Sequence, residues 1–211
     1  LCISIVSLDV YICYTGLMKH VIWLNDSTEF MVMLLAPLSY LFLISVFEKR
    51  KIRIRPDGIH FLPPLLYVIS QLGYLFHKNT VKLNSYVAAF HPHLPRPEYT
   101  WTDYFVFSEL IKDEWRLILL INYAIYFFLS LRLFWKYWKG IAQFRNNRFT
   151  YDKYRFARNI LLFLISTFIV VSIIFSQNEI DSGDHFIIIY ASICVYFTGF
   201  LFLFESRFFG N

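Results

Sequence analysis

Residues Glu48–Asp57, EKRKIRIRPD, form a basic segment between two long runs that contain no Asp, Glu, Lys or Arg. The run before it is FMVMLLAPLSYLFLISVF (Phe30–Phe47), and the run after it is IHFLPPLLYVISQLGYLF (Ile59–Phe76). The hydrocarbon core of a bilayer is about 30 Å thick, so a helix needs about 20 apolar residues to cross it. Each run is close to that length. We therefore predict two membrane-spanning helices joined by a short turn.

The positive charge of this turn predicts its side of the membrane, because short loops rich in Lys and Arg stay in the cytoplasm. Segments 48–57 and 136–158 carry five and seven of the 20 Lys and Arg residues. The residues expected to set the topology are Lys49, Arg50, Lys51, Arg53, Arg55, Arg145, Arg148, Lys153, Arg155 and Arg158. Both segments and the C-terminus are therefore expected in the cytoplasm.

The composition is typical of an integral membrane protein. Of the 211 residues, 57% are hydrophobic and 21% are aromatic. A soluble domain of this length buries one core but does not contain several uncharged segments of span length. The net charge of +5 does not indicate nucleic-acid binding, because the basic residues concentrate between the apolar segments.

The apolar segments together predict an all-α fold, a polytopic transmembrane helix bundle in one domain over residues 1–211. The six spans are expected at about residues 1–17, 30–47, 59–76, 115–138, 159–176 and 185–204. An outer loop is expected over 77–114, where Pro92, Pro95 and Pro97 exclude a regular helix and residues 102–114 predict a short amphipathic one. The chain starts with Leu1 inside an apolar run, so we expect a fragment of a longer protein.

Three residues inside the predicted spans are unusual for a lipid environment. A carboxylate such as Asp9 is costly there and usually faces a bundle interior or a cavity, which makes it a candidate for ligand or proton binding. Pro37 is expected to kink its span unless a neighbour satisfies the carbonyl group that proline leaves free. Asn122 is able to hydrogen-bond across helices, for about 1 kcal/mol.

The sequence contains no pattern of a known catalytic site. GxSxG, HExxH and phosphate-binding glycine loops are absent, so we predict that the protein is not an enzyme. His91 and His93 resemble half of a metal site, but Pro92 holds them on opposite sides of an extended chain. Zinc sites usually need three or four ligands, so no metal and no other cofactor is predicted.

Several apolar phrases together resemble a known membrane region. They are Ala36–Phe47, Ile59–Val68, Leu120–Lys139, Phe144–Leu164 and Tyr196–Phe209. The set is similar to the N-terminal membrane region of bacterial transcription regulators with an AraC-type helix-turn-helix at the C-terminus. The sequence departs from that family where Ala replaces a usual Gly at position 36 and where Phe-Ala replaces a commoner Trp-Leu pair at positions 156–157.

The resemblance implies a sensor in the bacterial inner membrane that relays an outer or intramembrane cue to a cytoplasmic DNA-binding domain. DNA would be contacted only through that domain, and regulators of this type often act as homodimers. The family typically has seven spans, which implies a further span before Leu1. An unidentified small molecule or envelope signal is expected under the outer loop near Trp101, Asp103 and Glu109, with Asp9 as a further candidate.

Two other classes of protein stay open at this stage. A small polytopic transporter or enzyme would have a polar outer-side site, in which His91, His93, Asp103 and Asp113 converge. A structural membrane partner would contact anionic lipid through its basic turns.

Overall fold

The computed structural model describes residues 1–48, 50–98, 106–141, 148–178 and 183–204. Within these ranges it describes the backbone alone at 106–107, 109, 138–141, 148–157, 160, 198 and 201–204. Every regular element in the described part of the chain is a helix, which confirms the all-α fold.

The helices follow the apolar segments of the sequence. They are α1 (Cys2–Tyr14), α2 (Glu29–Phe47), α3 (Ile54–Asp57), α4 (Leu62–Leu75), α5 (Asn79–Phe90), α6 (Val106–Asp113), α7 (Trp115–Ile141), α8 (Arg148–Gln177) and α9 (Asp184–Phe204). Short 3-10 turns at Leu17–His20, Ile22–Leu24 and Gly58–Phe61 connect some of them. Each of the predicted spans thus has a helix at its centre.

The lengths of these helices do not confirm six spans. Among the described residues, only α2 and the Trp115–Tyr137 part of α7 are long and apolar enough to cross a membrane. Ile54–Leu75 and Asn79–Phe90 give a third crossing if this pair, bent by 113°, counts as one broken span. Helix α1 has 13 residues and rises only about 20 Å, less than the thickness of a bilayer core. The structure therefore indicates membrane association with two or three clear crossing helices.

The segment expected as an outer loop, 77–114, contains two helices. Helix α6 matches the predicted amphipathic helix, and no helix forms across the proline-rich residues 91–98. Helix α5 was not expected, because polar residues interrupt its apolar pattern. It forms because Tyr86 and Val87 pack on Cys13 and on the 3-10 turns after α1.

A buried lysine explains how α5 is attached to α4. Lys82 is only 2% exposed, and its ammonium group donates hydrogen bonds to the carbonyl oxygens of Leu75 (2.6 Å) and Trp23 (3.2 Å). The Leu75 carbonyl is one of the last in α4 and has no partner within that helix. The lysine thus supplies a hydrogen-bond donor to the last turn of α4 and stabilises the 113° bend between α4 and α5.

One end of the bundle, here called the basic end, contains residues 48 and 50–57 and the C-terminal part of α7. Arg50 forms two hydrogen bonds of 2.8 Å with the carboxylate of Asp57, and Glu48 lies between Arg50 (2.9 Å) and Lys136 (3.6 Å). The Arg50 guanidinium and the Arg53 backbone N–H lower the pKa of Asp57 to about 2. The ion pairs tie the turn after α2 to α7.

The residues predicted to set the topology lie in segments 48–57 and 136–158. Lys51, Arg53 and Arg55 are exposed in the turn after α2, and Arg158 is exposed on α8. Lys49 and Arg145 lie outside the described residues, as do the side chains of Arg148, Lys153 and Arg155.

The opposite end, here called the loop end, gathers residues 14–29, 75–98, 178 and 183–185. Tyr14 at the end of α1 hydrogen-bonds His185 at the start of α9 (3.1 Å). Arg116 at the start of α7 donates to the carbonyl oxygen of Asn178 after α8 (2.7 Å). The successive helices α2, α4, α7, α8 and α9 therefore run alternately between the two ends.

A buried apolar cluster lies toward the basic end of the bundle. There the fully buried Leu41, Leu43 and Phe47 of α2 meet Leu133 and Phe134 of α7. Two buried leucines of α8 at positions 161 and 164 complete this cluster, which we call the basic-end core.

Candidate functional site

A cavity of about 140 Å³ lies between α1, α2, α7, α8 and α9. Its wall is mostly apolar and partly aromatic. Its charged groups are Asp9 of α1 and residues at or next to the loop-end termini of α2, α7 and α9, and Ser39, Thr167 and Tyr190 add hydroxyl groups from within helices. The apolar lining is Ile3, Val6, Val10, Cys13, Val32, Leu35, Phe90, Trp115, Leu119, Phe163, Leu164, Val171, Phe175, Ile187, Ile188 and Ala191. Leu164 also belongs to the basic-end core, so this core borders the cavity.

Four carboxylates line the same cavity, and they come from three different elements. Asp9 belongs to α1, Asp26 and Glu29 flank the start of α2, and Asp184 is the first residue of α9. Glu29 and Asp184 lie in the first turns of their helices, where the helix dipole favours a negative charge. Arg116 is the cation among the described lining residues.

Asp9, a ligand candidate from the sequence, is placed in the cavity wall. The side chain is partly buried, and its carboxylate accepts a hydrogen bond from the hydroxyl of Thr28 (Thr28 Oγ1 to Asp9 Oδ2, 2.8 Å). Thr28 precedes α2, so this bond joins the middle of α1 to the start of α2. Asp9 thus lies in the wall of a cavity between helices, while its role as a ligand-binding residue stays a prediction.

Asp26 is held in place by a buried network at the loop end. Lys112 of α6 forms an ion pair with it, and Lys112 Nζ also donates to Ser85 Oγ of α5 (3.0 Å). Asn25 Nδ2 donates to Asp26 Oδ2 and to the hydroxyl of Tyr74, both at 2.8 Å. Burial by itself lowers the pKa of the Lys112 ammonium, but Asp26 beside it holds that pKa well above its usual range. The Lys112 ammonium is therefore charged at neutral pH, and its contacts with Asp26 and Ser85 tie α5 and α6 to the cavity.

The backbone at Asp26 adapts to this network. Its φ of 61° lies in the left-handed region, which aspartate enters more easily than most residues. The side-chain bonds from Asn25 and Lys112 hold this conformation. The sharp turn before α2 thereby brings the Asp26 carboxylate to the cavity.

Glu29 and Arg116 connect the cavity to neighbouring helices. Glu29 accepts a hydrogen bond from the hydroxyl of Tyr67 in α4, and the Tyr67 ring packs 4.4 Å from that of Trp115. The Arg116 guanidinium lies 5.2 Å from the centre of the Phe175 ring in α8. Each of these charged groups is thus positioned by contacts to at least one other helix.

Helix α2 contains a proline whose missing hydrogen bond is supplied from α7. Pro37 has no N–H, so the carbonyl oxygen of Met33, four residues earlier, has no partner within the helix. Asn122 Nδ2 donates to this oxygen at 3.0 Å. The next residue, Tyr123, lines the cavity and donates from its hydroxyl to Val32 O at 3.2 Å. Adjacent residues of α7 therefore hydrogen-bond the backbone of α2 in the turn before Pro37.

The remaining candidates from the sequence do not extend this site within the described residues. Trp101 and Asp103 lie outside them, and Glu109 belongs to α6 but its side chain is not described. His91 Nε2 hydrogen-bonds the carbonyl oxygen of Cys13 (3.1 Å), and the His91 and His93 rings are 5.9 Å apart. In the described ranges, no group of three or more His, Cys, Asp and Glu side chains is arranged to bind a metal ion.

The sequence reasoning missed Asp26, Glu29, Arg116 and Asp184 as members of one site. Each lies at or next to the loop-end terminus of a helix. In the sequence, these residues could have been found as charged residues next to the ends of apolar segments. Their convergence depends on how the helices pack, which the order of the segments does not reveal.

No family model matches the chain, and no similar protein was found among the curated proteins or the solved structures.

Proposed function

We propose that this chain is the signal-input domain of a membrane-bound bacterial transcription regulator with an AraC-type DNA-binding output. The observation that carries the proposal is the cavity between α1, α2, α7, α8 and α9. It has an apolar wall and a small number of charged groups at one end, which is the usual make-up of a small-molecule site. In this proposal the cavity binds the signal.

The proposed topology has six spans in this chain, with the basic end in the cytoplasm of the inner membrane. Its support is the alternating direction of the helices together with the basic residues of segment 48–57 at one end. Helix α9 then starts outside and leaves toward the cytoplasm, where a DNA-binding domain must lie. Helix α1 is the shortest of the proposed spans and borders the cavity along its length.

The proposed relay uses helices that reach from the cavity to the basic-end core. Val32 and Leu35 of α2 line the cavity, and Leu41 and Leu43 of the same helix belong to that core. A ligand that binds one arrangement of α2, α7 and α8 more tightly than another shifts the population toward it. The bond between Asn122 and the Met33 carbonyl joins α2 to α7 beside the cavity-lining Val32 and Leu35. In the proposed relay, α2 changes its shape at Pro37, which lies between these residues and the basic-end core.

The alternative class, a transporter or an enzyme with a polar site, has less support. The apolar basic-end core borders the cavity and offers no polar side chain for passage through the protein, which favours a binding role. His91 is engaged with α1 and does not join the carboxylates that line the cavity. A binding role requires only the apolar wall and the charged groups that the cavity has.

The test is to fill the cavity in the full-length protein, expressed from its own gene. Ala191→Phe on α9 places a ring in the cavity, whereas Ile193→Phe is a matched control on the same helix, since Ile193 is 62% exposed. RNA sequencing of both strains is compared with the wild type and with a gene deletion. We expect Ala191→Phe to change a defined set of transcripts several-fold, within the set that the deletion affects. Ile193→Phe should match the wild type.

Chromatin immunoprecipitation of the tagged full-length protein supplies the second measurement. The regulator proposal requires enrichment at the promoters whose transcripts change. If the deletion leaves the transcriptome unchanged and no promoter is enriched, the proposal is wrong.

A further inference from the structure

We propose that the cavity binds a small organic cation, with an apolar body about the size of one aromatic ring and an ammonium group at the acidic end. This inference deepens the proposed sensor function and rests on it for its biological role. It concerns the chemistry of the ligand, which three properties of the cavity constrain: its size, its charge and its aromatic wall.

The size of the cavity limits the apolar part of the ligand. A cavity of about 140 Å³ is close to the roughly 150 Å³ apolar cavity that holds one benzene molecule in a well-studied protein. Leu119, Leu164 and Val171 in its lining carry no polar side-chain atoms, and the hydroxyl groups of Thr167 and Tyr190, which also line it, contact each other. The volume therefore fits a single ring or a short branched alkyl group.

The carboxylates at the loop end of the cavity determine which charge the polar group of the ligand carries. The carboxylates of Asp9, Asp26, Glu29 and Asp184 line the cavity. Among the described side chains, the cations near them are Arg116, and Lys112 behind Asp26. Within the described part of the chain, four carboxylates thus face two cations, so this end of the cavity carries more negative than positive charge. Charges in a protein cavity interact more strongly than they do in bulk water.

The two protein cations are already committed to other groups. Lys112 is paired with Asp26, and Arg116 donates to the carbonyl oxygen of Asn178 while its guanidinium lies over the Phe175 ring. A bound anion would have to compete for these groups and also approach the carboxylates. The electrostatics therefore disfavour an anionic ligand.

Aromatic rings beside the carboxylates suit an ammonium group better than a bare metal ion. Trp115, Tyr123 and Phe175 all line the cavity, and the face of an aromatic ring attracts an organic cation. The Phe175 ring already carries one such contact, with Arg116 at 5.2 Å. Within the described chain no three acidic, His or Cys side chains are arranged as metal ligands. An arylalkylammonium ion matches both the rings and the carboxylates.

The test measures binding of 2-phenylethylammonium to the full-length protein in a non-ionic detergent, by isothermal titration calorimetry. Two probes of similar shape serve as controls: 2-phenylethanol is neutral and phenylacetate is an anion. We expect the cation to bind at least about 10-fold more tightly than either, a difference of about 1.4 kcal/mol. Equal or tighter binding of the alcohol or of the anion would overturn the proposal.

Charge-removing variants then locate the binding site. Asp9→Asn keeps the acceptor for Thr28, so it removes charge with little change in packing, and Asp184→Asn removes charge at the start of α9. We expect the double variant to weaken cation binding about 10-fold and to leave binding of 2-phenylethanol unchanged. Asp113→Asn is the matched control, because Asp113 is exposed on α6 and does not line the cavity. Identical binding by the double variant and by wild type would place the cation elsewhere.

The outcomes separate this inference from the proposed function. If 2-phenylethylammonium does not bind while Ala191→Phe still changes transcription, the sensor proposal stands and the assignment of an organic cation is wrong. If the cation binds and Ala191→Phe abolishes binding without any effect on transcription, the binding site stands and the regulator proposal is wrong.

Discussion

The carbonyl oxygen of Met33 joins α2 to α7 through a single hydrogen bond. Pro37 cannot donate to it, and Asn122 of α7 does so at 3.0 Å. The sequence led us to expect both halves of this pair, a proline that frees a carbonyl and an asparagine able to bond across helices. It did not indicate that the two residues meet.

We predict that this hydrogen bond has a measurable coupling energy. Asn122→Leu should lower the free energy of unfolding by about 1 kcal/mol, because it leaves the Met33 carbonyl without a donor in an apolar environment. Pro37→Ala restores the N–H of the helix, so the loss caused by Asn122→Leu should fall to about zero in that background. The measurement is a double-mutant cycle of unfolding by sodium dodecyl sulfate in mixed micelles.

Each single variant measures the packing change that its own substitution causes, and the cycle subtracts both from the effect of the double variant. Equal losses from Asn122→Leu with and without Pro37→Ala would show that the asparagine acts through other contacts, and the proposed link between proline and asparagine would be wrong.

At the scale of single helices, α2 has one buried face and one exposed face within a uniformly apolar segment. Leu43 is fully buried against α7 and α8, whereas Leu38 on the same helix is 39% exposed. Both are leucines in a run without charges, and the local sequence does not separate them. Only the position of the neighbouring helices assigns one to the core and the other to the surface.

We predict that these two leucines contribute very differently to stability. Leu43→Ala should lower the free energy of unfolding by about 2 kcal/mol, because a void in a packed core cannot fully collapse. Leu38→Ala should change it by less than about 0.5 kcal/mol, as is usual for exposed positions. Both values come from unfolding in mixed micelles. A similar loss in the two variants would contradict the packing of α2 described above.

At the scale of the whole molecule, the distribution of charge agrees with the direction of the helices. Basic side chains of segment 48–57 lie together at one end, and the carboxylates of the cavity lie toward the other. The proposed topology places these ends in the cytoplasm and outside, respectively. It follows that exposed residues at the two ends differ in their accessibility from outside the cell.

We predict this difference for two exposed positions. In a variant without native cysteines, His93→Cys at the loop end should react with a membrane-impermeant maleimide in intact spheroplasts. Lys51→Cys at the basic end should react only after the membrane is opened or inverted. The measurement is the fraction of labelled protein before and after permeabilisation. Labelling of Lys51→Cys in intact spheroplasts, with His93→Cys protected, would reverse the proposed orientation.

The sequence by itself determined the helical class, the approximate positions of the main helices and the absence of a helix across residues 91–98. These properties depend on local patterns: apolar runs favour helices in lipid, and proline lacks the N–H that a helix requires. The short length of α1 and the presence of α5 were not foreseen, because packing against neighbours overrides weak local preferences.

Only the tertiary structure decided which polar residues meet. Asp9 was singled out by its position within an apolar run, but its neighbours Asp26, Glu29 and Asp184 come from segments far apart in the chain. The pairing of Asn122 with the Met33 carbonyl was decided in the same way. The physical reason is that a run of apolar residues specifies a helix without specifying which side of it faces another helix, and that choice places the cavity and its charges.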